Sequence, residues 1–158
     1  MKQKQSINRN RKWLIIIGIV VVALVLFYFV GRIVGNQLLK APEKVGNAFV
    51  ADIQQNNPVA GYGLYPSADH NETENGLAQS FASYSPHVQG TAKVLGGLKQ
   101  ASGKNPEAVL IYSITNNNQT VYLKVFLAQF ATNNGSQWEI IGYHGSNTQP
   151  ALNFSLNT

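Results

Sequence analysis

Apolar positions follow three regimes along the chain. From 14 to 30 they are unbroken, LIIIGIVVVALVLFYFV, and fourteen of these seventeen residues are Leu, Ile, Val or Phe. The stretch holds no charge, amide or proline. From there to Tyr84 apolar residues recur at helical spacing, and beyond Gly90 they alternate between turns rich in Gly and Asn.

At ~1.5 Å per helical residue, the first stretch together with Trp13 approaches the ~30 Å hydrocarbon core of a bilayer. Its fourteen large apolar residues favour insertion by ~0.3–0.6 kcal/mol each, roughly 4–8 kcal/mol together. Trp13, Tyr28 and Arg32 stand near its ends, where amphipathic side chains reach the interface. A transmembrane helix over 13–34 is the expectation. A cleaved signal peptide would need an apolar core of only ~7–15 residues and a small-x-small site; Gly31-Arg32-Ile33-Val34-Gly35 is a poor one. A buried helix of this length, apolar all round, would need more chain to cover it than follows here.

The regime from 33 to 84 predicts helices. Ile33, Val34, Leu38 and Leu39 continue the spacing, so the first helix either runs on or breaks near Gly35 into a short linker at 35–41. A domain helix is expected at 41–57, with Pro42 in its first turn, Glu43 at the positive end of its dipole, and Asn56-Asn57-Pro58 stopping it. Residues 59–65 predict a brief second helix. A third fits 74–84, where Leu77, Phe81 and Tyr84 form one stripe before Ser85-Pro86.

The last regime predicts strands. Residues 90–98 are a weak candidate, with Gly96-Gly97 marking a bulge. Strands follow at 108–115, 120–130 and 137–143, with turns at 101–106, 116–119 and 133–135. In the third of these four, Val121, Leu123, Val125 and Leu127 oppose Tyr122, Lys124, Phe126 and Ala128. In the last, Trp138, Ile140 and Gly142 oppose Glu139, Ile141 and Tyr143. Residues from 146 on read as a frayed tail. Helices followed by antiparallel strands make an α+β domain with its helices on one face of the sheet.

Charge adds orientation. Lys2, Lys4, Arg9, Arg11 and Lys12 precede the apolar stretch with no acid among them. The other seven Lys and Arg are balanced by the seven Asp and Glu, so the net charge of +5 belongs to the tail. The positive-inside rule then puts residues 1–12 in the cytoplasm and the domain at 42–145 outside it, with 146–158 as a C-terminal tail. A formally neutral domain disfavours nucleic acid as partner. With no cysteine, disulfides and thiolate metal sites are excluded.

Ala60-Gly61-Tyr62-Gly63-Leu64-Tyr65 and the later Gly135-Ser136-Gln137-Trp138-Glu139-Ile140 resemble paired stretches of the nuclear transport factor 2-like, or cystatin-like, cone fold. The match is to extracytoplasmic domains of unknown function on membrane-anchored bacterial proteins, and it covers about 42–143. The resemblance implies helices packed on a curved antiparallel sheet of three or four strands. The order of tail, span and domain is also similar to scaffold subunits of type IV secretion and conjugation machines. Enzymes such as ketosteroid isomerase share the cone, but no local motif here marks their site residues, and fold alone does not give function.

Candidate chemistry is sparse. Tyr62, Tyr84 and Tyr112 are candidates to line a pocket in the cone, against a plain reading as core residues. Tyr122, Phe126 and Trp138 are candidate contact aromatics on the sheet, with core packing the better reading for Trp138. Asp52 on the first domain helix and His144 after the last strand are the two possible bases. Asp69, His70 and Glu72 could meet a hard cation, although a solvated loop explains them as well. No cofactor motif is present. The expectation is a non-catalytic binding or assembly module, held by the lipid bilayer and contacting an envelope or membrane protein. The alternative is a cone that takes a small apolar ligand or lipid.

Overall fold

The computed structural model describes residues 4–66, 73–102, 105–117 and 119–155. They form α1 (Lys4–Gln54), α2 (Pro58–Tyr62), α3 (Glu74–Tyr84), β1 (Thr91–Ser102), β2 (Asn105–Asn116), β3 (Gln119–Thr132) and β4 (Gly135–Ser146). Two compact units divide the chain at Leu38/Leu39.

The helix runs on through 35–41 instead of breaking at Gly35, and Pro42 lies inside it, not in a first turn. Proline has no N–H to give the carbonyl four residues back, here that of Leu38, where the two units divide. In the first unit the described side chains of the apolar stretch, residues 16–28, are all exposed, with Phe27 at 81 % and Leu24 at 65 %. Among the described residues no helix is long and apolar enough to cross a membrane.

The second unit is the α+β domain. Past Gln54, α1 is closed by Asn56, whose φ of 49° lies in the left-handed region. The Asn56 N–H donates to the Ile53 carbonyl and the Asn57 N–H to that of Asp52, a Schellman closure. Asn57 then caps α2, its side chain accepting from the Ala60 N–H at 3.3 Å with Pro58 in the first turn. Thr73 caps α3 in the same way, accepting from the Gly76 N–H at 3.0 Å.

The four strands form one antiparallel meander in the order β1-β2-β3-β4. Residues 91–98 of the weak candidate belong to a full twelve-residue strand. The expected turn at 101–106 narrows, because Ala101 pairs with Pro106 and Ser102 with Asn105. Register shifts between Val94 and Gly96 make Leu95 a bulge. A second shift lies opposite Phe126/Leu127, where Ile141 is skipped between Ile140 and Gly142. That extra residue reverses the alternation along β4. Tyr143, expected opposite Trp138 and Ile140, packs against the same core as they do.

Helices cover one face of the sheet. Phe49 is fully buried and meets Tyr143 of β4, Phe81 of α3 and Tyr65 edge-to-face, with ring centroids at 5.1, 5.6 and 5.9 Å. Val50, Ile53 and Leu77 join Leu110, Ile114, Leu123, Val125, Leu127 and Ile140 around this centre.

The other face is covered too, by the segment after β4 that reads as a frayed tail. Val109, Ile111, Phe126 and Ala128 are buried there. Leu152 lies over Gly96, and Phe154 lines a small cavity with Phe126 and Ile141. Lys124 is completely buried on this face, its Nζ donating to Asn153 Oδ1 and to the Ser155 carbonyl, each at 2.7 Å. Burial lowers its pKa, because the ammonium is the form that loses water.

Three expectations follow, all read by chemical denaturation of the full chain. Phe49→Ala, which empties the aromatic centre, costs about 3–5 kcal/mol, and Phe49→Leu costs less. Asn153→Ala removes an acceptor from a buried ammonium and costs about 1–2 kcal/mol. Lys124→Met, which removes the charge and keeps the length, costs less than Asn153→Ala.

Candidate functional site

Two cavities lined by described residues bear on function. The space between helices and sheet is filled by Phe49, Phe81, Leu77, Tyr112 and their neighbours. The first cavity, about 130 Å³, lies under Phe154 beside Phe126 and Ile141. The second, about 310 Å³, lies where the end of α3 meets the start of β3 and the end of β4. Tyr84, His87, Tyr122 and Asn147 are among its walls.

The candidate residues scatter across these places. Tyr84 and Tyr122 come together at the second cavity. Tyr62 is half-buried against the core and Tyr112 lies wholly within it. Phe126 is 5 % exposed beneath the C-terminal segment, and Trp138 is 6 % exposed in the core. Neither is an exposed sheet aromatic, because both faces of the sheet are covered. Lys99 Nζ sits 5.2 Å above the Trp138 ring. Asp52 is half-exposed on α1, and partial burial raises its carboxyl above its ordinary value. His144 is exposed, paired in register with Lys124. Asp52 and His144 line neither cavity. The loop carrying Asp69, His70 and Glu72 lies outside the described residues. Among the described residues no three His, Asp or Glu come close enough to hold a metal ion.

Sequence reasoning missed His87 and Asn147 at the second cavity. It also missed the pairing of Lys124 with Asn153. A signal for the latter was present: one lysine between Tyr122 and Phe126 on an otherwise apolar strand face needs a polar partner if that face is covered. Leu152 and Phe154, two residues apart, are the matching cover.

Tyr112 is the one buried side-chain oxygen or nitrogen among the described residues with no hydrogen-bond partner. Its hydroxyl points at Gly46 of α1, where a Cβ would overlap it. Burial, and secondarily the charge of Glu43, push its pKa well above the ordinary value of 10.0. An unpaired buried hydroxyl is costly, and here the close approach of α1 to the sheet leaves no room for a partner.

No protein-family model matches the chain, and no curated protein matches it.

The unfolded Tyr112 phenol ionises near pH 10 and the folded one higher, so above pH 10 the folded chain keeps a proton that the unfolded chain sheds. Stability therefore falls as pH rises past this value. Tyr112→Phe keeps the ring and deletes the unpaired hydroxyl. It is neutral to stabilising by about 1–2 kcal/mol at pH 7, and it flattens the alkaline fall, as urea titrations across pH 8–11 would register.

Proposed function

We propose that this chain is a single-pass membrane protein whose outer domain is a non-catalytic binding or assembly module. One observation carries the reading: residues 14–30 are apolar without interruption, lie within α1, and leave every described side chain from 16 to 28 exposed. Leaving large apolar side chains in water forgoes about 1.5–3 kcal/mol each, which a bilayer returns. The described run is shorter than a span, and the sequence extends it on both sides to the length a hydrocarbon core needs. The basic tail before it orients residues 1–12 to the cytoplasm and the domain to the outer side.

The domain reading is a nuclear transport factor 2-like cone in its membrane-anchored form. Three helical segments followed by a four-strand meander, with the helices on one face, support it. The packing of Phe49, Leu77, Phe81 and Tyr112 between helices and sheet, with Asp52 and His144 outside both cavities, favours assembly over the small apolar ligand and over catalysis by those two residues. The sheet is open, and among the described residues β1 pairs only with β2. Such an edge can take a strand from a partner in the envelope or membrane. The order of tail, span and domain also fits a scaffold subunit of a secretion or conjugation machine, as one form of the same role.

The absence of cysteine makes the topology directly testable. Single variants Ser6→Cys and Gln55→Cys are exposed to a membrane-impermeant maleimide in intact cells. Gln55→Cys is labelled at once and Ser6→Cys only after permeabilisation, and the chain stays in the pellet after alkaline carbonate washing. Release by carbonate, or labelling of the two variants in the opposite order, overturns the reading.

A further inference from the structure

The cavity at the end of the sheet is built as a binding cleft, and its chemistry selects a class of ligand. Tyr84 is one wall and is held from two sides. Its ring lies edge-on to Tyr143 at 5.5 Å, and it presses on Gly145, where any Cβ would overlap it. A side chain at 145 would therefore push this wall out of place. The chain that follows is pinned as well. The His87 and Val88 N–H groups both donate to the Tyr84 carbonyl, at 2.9 and 3.1 Å. Gln54 Nε2 donates to the Val88 carbonyl at 2.8 Å. The aromatic surface is in place before anything binds, so a ligand meets little ordering cost.

Among the described residues the lining contains no Lys, Arg, Asp or Glu. An ionic ligand would find no counter-charge. The Tyr84 ring, with Val88 and Val121, supplies apolar and π surface. Ser83, His87, Ser146 and Asn147 supply donors and acceptors around it. A purely apolar guest would leave those polar groups unpaired, at a cost. The volume of about 310 Å³ sits at the lower end of the about 300–1,000 Å³ of ligand sites, so it holds a ring or two and not a lipid chain.

We propose that the cleft between α3 and the β3–β4 end binds a neutral, hydroxyl-rich ring ligand, one or two units of a glycan. One ring face packs its C–H groups on Tyr84 while its hydroxyls meet the polar side chains around it. This goes beyond the assembly reading and stands whether or not that reading does.

The test uses the full chain in detergent micelles, labelled with 3-fluorotyrosine, with the Tyr84 and Tyr122 resonances assigned from Tyr84→Phe and Tyr122→Phe. The probes are N,N′-diacetylchitobiose and cellobiose, with glucuronate as the charged comparison. At least one neutral disaccharide moves the Tyr84 and Tyr122 resonances saturably while Tyr62 and Tyr112 stay still. Tyr84→Ala weakens binding by about tenfold. Because that variant also loses the Tyr143 contact, His87→Ala/Asn147→Ala, both at exposed positions, is read beside it and weakens binding by about fivefold. No saturable shift from either neutral probe up to about 20 mM, equal shifts at Tyr62, or glucuronate binding as tightly would overturn the proposal.

Discussion

Phe49 stands where four parts of the domain meet. Its ring is edge-on to Tyr65, to Phe81 of α3 and to Tyr143 of β4, and it comes from α1 itself. Edge-to-face packing is directional, so this centre fixes angles as well as distances. The docking of the helices on the sheet depends on it. Two glycines permit the close approaches that it demands. Gly46 lets α1 settle against Tyr112 and Leu110, and Gly61 lets α2 settle against Phe81. The cost of that closeness is visible at Tyr112, whose hydroxyl is trapped without a partner.

The second face of the sheet is organised by a different interaction. A lysine in the centre of a strand would be a liability on a buried surface. Here it anchors the segment that buries the surface, through the Asn153 side chain and the Ser155 carbonyl. Leu152 and Phe154 on either side of Asn153 then cover Gly96 and Phe126. The sheet is thereby closed on both faces, which moves potential contact surface to its edges and its ends. Tyr84 and Tyr122 meet at one such end. They are the pair of sequence candidates that retain a shared cavity.

Much of the fold was legible because short-range physics wrote it. The Asn56-Asn57-Pro58 stop, the Leu77-Phe81-Tyr84 stripe and the alternation of β3 each depend on residues within a few positions. The errors have a common origin in contacts made far along the chain. Pro42 looked like a helix start, yet the helix passes through it. Tyr143 was assigned to the wrong face because a bulge at Ile141 shifts the phase, and nothing in Glu139-Ile140-Ile141-Gly142 marks a bulge. Phe126 looked like an exposed contact residue because the segment that covers it begins some twenty residues later.

Sequence alone determined the element types, the charge asymmetry of the tail and the unbroken apolar stretch at 14–30, since periodicity and composition are local properties of a chain. It also determined that no thiol chemistry is available to this protein. Tertiary structure decided which side chains share a cavity, which of them pack between the helices and the sheet, that residues 147–155 pack back on the sheet, and that Lys124 is buried. Those outcomes turn on burial and register between distant segments. A shift of one residue exchanges the two faces of a strand there, and no local pattern records it.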